Sequence, residues 1–113
     1  MILYFLGPKG TYSEACANKI KNCLNEEITL KPISTIPKII NLLNENTHAI
    51  GVVPIENSIE GIVRSTIDNL YASNVKIQAQ TDVQIEHCLI SKNKKENIKH
   101  IASHPQALAQ CQN

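Results

Sequence analysis

Polar side chains that could bind a ligand follow three apolar runs of the chain, at the points where strands are expected to end. We call them the first, second and third connectors, and they cover residues 7–13, 54–61 and 103–106. Each leads into a helical pattern. In open α/β sheets, ligands bind at the carboxyl ends of the strands, beside helix N-termini. The three connectors are therefore candidate parts of one site.

The first connector has the composition of an anion-binding loop. Gly7 and Gly10 permit a tight turn and let a ligand approach the backbone, and Thr11 and Ser13 lie at a predicted helix start. Exposed amide groups and the positive end of the helix dipole favour an anion there. The spacing is neither that of a Walker loop nor that of a dinucleotide-binding fingerprint. A tight turn followed by an N-cap explains the same residues without a ligand.

The second connector places Glu56, Asn57 and Ser58 directly after a buried strand. Glu56 could act as a general acid if burial favoured its protonated form. Asn57 and Ser58 could donate hydrogen bonds to a carboxylate or a hydroxyl group of a ligand. The alternative is that Asn57 and Glu60 only cap the following helix, with Glu56 solvated.

The third connector contains Ser103, His104 and Gln106, around a helix start at Pro105. A histidine in this position is more often a capping or surface residue than a catalytic one. The sequence contains no evident Ser–His–Asp set, so nucleophilic catalysis has little support.

The alternation of strands and helices predicts how the connectors come together. Strands are predicted over residues 2–6, 27–33 and 49–55, and helices begin near Ser13, Thr35 and Asn57. This order predicts an α/β fold with a mostly parallel sheet flanked by helices. After Asn74 the pattern becomes strand-like over residues 75–91, which suggests a boundary between residues 1–74 and 75–113.

Composition excludes several classes of function. The 113 residues are 42% hydrophobic and 19% charged, which is typical of one globular domain or less. Eleven basic against ten acidic residues and 4% aromatics argue against a nucleic-acid partner. No apolar run approaches the ~20 residues that cross a membrane, and no secretory signal is recognisable. We therefore expect no membrane partner and a cytoplasmic location.

The cysteines predict no metal site. They are Cys16, Cys23, Cys88 and Cys111, without a Cys-x-x-Cys pair. Zinc sites usually need clustered ligands with a closely spaced pair, so we expect Cys16 and Cys23 to be small buried hydrophobic residues of a helix.

The three connectors and their flanks resemble the prephenate dehydratase family. The matching stretches are LGPKGTYSEA at 6–15, GVVPIENSIEG at 51–61 with TIDNL at 66–70, and SHPQALAQC at 103–111, with a weaker likeness in EHCL at 86–89. They lie in the family's order and span nearly the whole chain. The central stretch is long and the most specific of them.

The resemblance implies a fold and an activity. The fold is two-lobed, like the type II periplasmic binding proteins, with a site between a first lobe (1–74) and a partial second lobe (75–113). The activity is removal of water and carbon dioxide from prephenate to give phenylpyruvate, in phenylalanine biosynthesis, without a metal or organic cofactor. By the match, Glu56, Asn57 and Gln106 take catalytic positions. The implied substrate-binding residues are Gly10, Thr11, Ser13, Ser58, Ser103 and His104.

The sequence also departs from the family. It contains no Thr-Arg-Phe motif, whose threonine and arginine serve the departing hydroxyl group in the family, and no regulatory ACT domain. We expect a fragment of the catalytic domain with little turnover alone. Such a fragment would expose apolar surface, so a homodimer or larger homo-oligomer is expected. The alternative is a non-catalytic module of the same fold that binds a small anion or an amino acid.

Overall fold

The computed structural model describes residues 1–58 and 61–84 of the chain. They form three longer strands, three helices and one short hairpin of two strands. In chain order these are β1 (Ile2–Leu6), α1 (Tyr12–Cys23), β2 (Thr29–Ile33), α2 (Ile36–Glu45), β3 (Ile50–Val52), β4 (Glu56–Asn57), β5 (Gly61–Ile62) and α3 (Arg64–Tyr71).

The longer strands form one parallel sheet in the order β2-β1-β3. In this sheet Phe5 of β1 lies opposite Val52 of β3, and Leu6 lies opposite Ile33 of β2. Parallel neighbours need crossover connections, and α1 and α2 provide them. The described residues therefore confirm the predicted α/β architecture with a mostly parallel sheet flanked by helices.

One face of the sheet packs against α1. The buried cluster on this face consists of Leu3, Phe5, Ala17, Ile28 and Val52. Leu3 and Phe5 are two residues apart in β1 and therefore point to the same side of the sheet. Burying side chains of this size contributes about 1.5–3 kcal/mol each, so this cluster is a main source of the stability of the sheet.

The opposite face packs against α2, whose buried residues are Ile36, Ile39 and Ile40. Gly51 of β3 allows this helix to come close. A Cβ atom built at Gly51 would lie 3.0 Å from Cγ2 of Ile39 and 2.5 Å from Cδ1 of Leu43. A larger side chain at this position would therefore push α2 away from the strand that leads into the second connector.

Several predicted boundaries are wrong. β2 begins at Thr29 rather than residue 27, and β3 covers only Ile50–Val52 of the predicted 49–55. Cys23, the last residue of α1, is exposed instead of buried. Residues 75–84 contain no strand, and the rest of the predicted 75–91 segment lies outside the described residues.

The third helix shows the largest difference. It begins at Arg64, after the N-cap residue Val63, and has no side-chain cap. The Asn57 cap predicted for it is wrong, because Asn57 pairs with Gly61 in the β4–β5 hairpin instead. None of the helices in residues 1–58 and 61–84 is long and apolar enough to span a bilayer.

Candidate active site

The first two connectors leave the sheet at the same edge. β1 and β3 are hydrogen-bonded neighbours that run in parallel, so their carboxyl ends lie side by side. The first connector follows Leu6 of β1, and the second begins two residues after Val52 of β3. This is the edge at which open α/β sheets bind ligands.

The first connector begins as an extension of the sheet. The amide of Gly7 donates a hydrogen bond to the carbonyl of Ile33, with a distance of 2.8 Å between the nitrogen and the oxygen. Gly10 has a φ of 86°. Because L-residues with a side chain rarely adopt this left-handed conformation, Gly10 is required by the turn itself.

Thr11, and not Ser13, caps α1. Its hydroxyl oxygen accepts a hydrogen bond from the amide of Glu14 at 3.3 Å and donates one to the carbonyl of Leu6 at 3.4 Å. Ser13 lies in the first turn of the helix and is half-buried. The Thr11 hydroxyl therefore ties the end of β1 to the start of α1 and fixes the shape of the turn.

The second connector is a short antiparallel hairpin. Glu56 pairs with Ile62, and Asn57 pairs with Gly61. Gly61 has a φ of 81°, so the return strand also begins at a residue in the left-handed region. The amide of Val63 closes the hairpin with a hydrogen bond of 2.9 Å to the carbonyl of Ile55.

The three polar side chains of this hairpin differ in exposure. Glu56 and Ser58 are exposed, whereas Asn57 is half-buried. The burial that a general-acid role of Glu56 requires is therefore not supplied by the described residues. A backbone held in a strand pair presents Glu56 and Asn57 to opposite sides, because successive side chains of a strand alternate.

No sequence motif assigned a structural role to Thr66 of α3. Thr66 is completely buried, and its hydroxyl group donates a hydrogen bond of 2.6 Å to the carbonyl of Pro54. The signal that could have indicated this role is a polar residue on a helix face that is otherwise apolar. Nothing in the spacing, however, identified an acceptor twelve residues earlier.

The third connector is not part of the described residues. Ser103, His104 and Gln106 lie outside them, as does Glu60 of the second connector. The structure thus brings together the first and second connectors at one edge of the sheet, and the expected contribution of the third stays a prediction.

Two concave surfaces of the described residues lie away from Glu56 and Asn57. An open groove of 540 Å³ runs between β2 and α2 and is lined by residues that include Ser34, Lys38 and Glu45. A second hollow of 320 Å³ borders Gly7 and Pro8. Of these two surfaces, only the second touches a connector, at Gly7 and Pro8 of the first.

Within residues 1–58 and 61–84, no three His, Cys, Asp or Glu residues are close enough together to hold a metal ion. Cys16 and Cys23 are free thiols. Partial burial raises the pKa of the Cys16 thiol above its ordinary value, and the nearby Lys19 ammonium opposes this shift. Cys16 is therefore held as a neutral thiol beside the core.

Comparison with known proteins identifies the family. The family model for prephenate dehydratase matches residues 3–113. The chain belongs to the prephenate dehydratase family. It is 41% identical over 113 residues to a prephenate dehydratase of Methanocaldococcus jannaschii, an alignment that covers 99% of this chain and 40% of that protein.

Two further relatives show the same relation. A prephenate dehydratase of Lactococcus lactis subsp. cremoris is 39% identical over 111 residues, which are 97% of this chain and 38% of that protein. A bifunctional chorismate mutase/prephenate dehydratase of Stutzerimonas stutzeri is 35% identical over 109 residues, which are 95% of this chain and 29% of that protein. The chain thus spans 40% or less of the length of these prephenate dehydratase relatives.

Proposed function

We propose that the protein containing this chain is a prephenate dehydratase, which converts prephenate to phenylpyruvate in phenylalanine biosynthesis. The observation that carries the proposal is the family match over residues 3–113, the part of the chain that holds all three connectors. The parallel arrangement of β1 and β3 supports it, because the first two connectors leave the same edge of the sheet.

The reaction defines what the site must do. The bond between the prephenate ring and its ring carboxylate breaks, and carbon dioxide leaves. The electron pair of that bond enters the ring, which becomes aromatic as the C–O bond to the hydroxyl group breaks. The departing oxygen takes up a proton and leaves as water. The protein must therefore hold a dianion, assist the hydroxyl group, and avoid stabilising the carboxylate that is lost.

The described residues suit different parts of this task. Asn57, half-buried on the second connector, is proposed to hydrogen-bond the substrate, with Ser58 beside it. Backbone amides around Gly10 and Thr11 at the start of α1 suit a carboxylate of the substrate. The exposed Glu56 suits a role in orienting water or substrate better than that of a buried acid.

Further residues and the wider domain complete the proposal. Gln106 is proposed as a third catalytic residue, and Ser13, Ser103 and His104 as substrate-binding residues. The whole domain is proposed to be two-lobed, like the type II periplasmic binding proteins, with a boundary near residue 74. We also propose a cytoplasmic protein that forms a homodimer or larger homo-oligomer.

The test is release of phenylpyruvate from prephenate by the full-length gene product that contains this sequence. Saturable turnover is expected, and its absence would overturn the proposed function. A polypeptide of residues 1–113 assayed in parallel is expected to show little or no turnover, because its sequence contains no Thr-Arg-Phe motif. Calorimetric titration with prephenate and with amino acids provides a second measurement. Tight binding of an amino acid with no effect of prephenate would indicate a binding module instead of an enzyme.

A further inference from the structure

Thr66 is the one polar residue among the buried residues of the described part of the chain, and its exposed fraction is 0%. A hydroxyl group in such a place needs a hydrogen-bond partner, since an unpaired buried polar group is costly. Threonines inside helices often bond to a carbonyl one turn earlier in the same helix. Thr66 instead donates its hydrogen bond to the carbonyl of Pro54, twelve residues earlier and outside the helix.

The acceptor lies directly before the candidate catalytic residues. Pro54 and Ile55 are the two residues that precede Glu56. The carbonyl of Pro54 accepts from the Thr66 hydroxyl at 2.6 Å, and the carbonyl of Ile55 accepts from the Val63 amide at 2.9 Å. The start of α3 thus holds two consecutive carbonyls of the second connector, directly before Glu56 and Asn57.

The helix that supplies these donors is itself anchored to the sheet. α3 packs against α2, and α2 packs against both β1 and β3. Because β3 ends at Val52, only Val53 lies between the sheet and the first held carbonyl. The second connector is therefore held by the sheet on one side and by the start of α3 on the other.

We infer that Thr66 is a positioning residue of the candidate active site: its buried hydroxyl group fixes the second connector through the Pro54 carbonyl, so that Asn57 meets the substrate in the reactive geometry. The inference rests on the proposed function. Loss of the hydroxyl group would leave the fold in place but release the strand that carries Asn57. Misplacement of a catalytic group by about 1 Å can lower a rate by about 100-fold, so the effect should appear in turnover more than in folding.

The experiment compares Thr66→Val with Thr66→Ser in the full-length protein. Valine has nearly the shape of threonine without its hydroxyl group, whereas serine keeps the hydroxyl group and lacks the methyl group. We expect Thr66→Val to lower kcat for phenylpyruvate release by about 10- to 100-fold, with a smaller change in KM. We expect Thr66→Ser to restore most of kcat, although it removes a buried methyl group.

Ile28→Val is the matched control. Like Thr66→Ser, it removes one methyl group from a buried side chain, but Ile28 belongs to the core cluster on the α1 face and directly precedes β2, at the end of the sheet opposite the connectors. Its thermal unfolding temperature should fall while kcat stays close to the wild-type value. If Thr66→Val does not fold, Thr66→Ala and Thr66→Ser replace the pair, because alanine and serine differ only in the hydroxyl group.

The possible results separate the inference from the proposed function. A full-length wild-type protein that releases no phenylpyruvate overturns the proposed function and the positioning role of Thr66 with it. If the wild type is active and Thr66→Val keeps its kcat, the inference alone is overturned. The same holds if Thr66→Ser loses as much turnover as the variant without a hydroxyl group, or if Ile28→Val lowers kcat equally, because Thr66 would then serve general stability only.

Discussion

The first and second connectors leave the same edge of the sheet but are held in different ways. The Thr11 hydroxyl group bonds to Leu6, five residues earlier, and to Glu14, three residues later. The second connector depends on a hydrogen bond from Thr66 to Pro54, across twelve residues, and on a hairpin closed by Val63. Beyond Gly7, whose amide bonds to Ile33 of β2, the first connector can take its shape as α1 forms, whereas the second connector needs α3 in its final place.

This difference has a physical consequence for the site. A contact between residues close in sequence closes a short loop at low entropic cost, and tertiary packing adds little to it. A contact to a helix that must first dock on α2 is only as strong as that docking. We therefore expect the second connector to be more sensitive to substitution than the first.

The largest expected effect is on turnover, from Asn57→Ala in the second connector. Removal of a preorganised donor typically lowers kcat by about 100- to 1,000-fold. The control is Asn44→Ala, since Asn44 is exposed on α2 and lies in neither connector. Kinetics of phenylpyruvate release by the full-length protein provide the measurement. Wild-type turnover in Asn57→Ala would remove the second connector from the reaction.

The next effect comes from the two glycines with positive φ, Gly10 in the first connector and Gly61 in the second. A Cβ atom at either position would meet no atom within 4 Å, so alanine adds conformational strain without a clash. Each substitution should lower the free energy of unfolding by about 1–2 kcal/mol, measured by urea denaturation. If the connectors differ as described, Gly61→Ala lowers kcat more than Gly10→Ala. An equal loss of kcat would contradict the comparison.

A smaller effect is expected from the helix caps Thr11 and Thr35. Both accept a hydrogen bond from the amide three residues later, at 3.3 Å in each case. Replacement by alanine should cost about 1 kcal/mol of stability at either position. Only Thr11→Ala should also weaken substrate binding, seen as a higher KM. A change in KM for Thr35→Ala of the same size would show that the effect belongs to helix capping and not to the first connector.

The smallest effect concerns the two thiols of α1, the helix into which the first connector leads. Cys23 is exposed, whereas partial burial raises the pKa of Cys16, so a thiol reagent should modify Cys23 faster in the folded protein. A raised pKa in the folded state gives a stability contribution that is complete below the ordinary pKa and is lost as pH rises through the raised one. As pH rises into the alkaline range, the free energy of unfolding should therefore fall less in Cys16→Ala than in Cys23→Ala, which keeps the Cys16 thiol. Equal modification rates would contradict the placement of Cys16 beside the core.

Much of the fold could be predicted from local patterns. β1 was placed at its observed bounds, and Thr35 caps α2 as its position before Pro37 predicts. These features depend on residues within one or two turns of each other, so the sequence displays them directly. The edge shared by the first two connectors also follows from the sequence, because alternating strands and helices favour a parallel sheet.

The second connector shows where such prediction ends. The pattern from Asn57 to Glu60 is that of a helix cap, but Asn57 pairs with Gly61 and the helix starts only at Arg64. A capping pattern and a hairpin compete for the same backbone groups, and the choice depends on neighbours outside the segment. Thr66 is one such neighbour, because its hydroxyl group reaches Pro54 only when α3 is docked.

The sequence by itself determined the family, the alternation of strands and helices that places the connectors, and the residue types available for catalysis. These depend on linear motifs and on short-range periodicity. Only the tertiary structure decided that Glu56 is exposed and that Thr66 holds the second connector ahead of Asn57. Burial and long-range hydrogen bonds arise when separate elements pack together, and no spacing within one element specifies them.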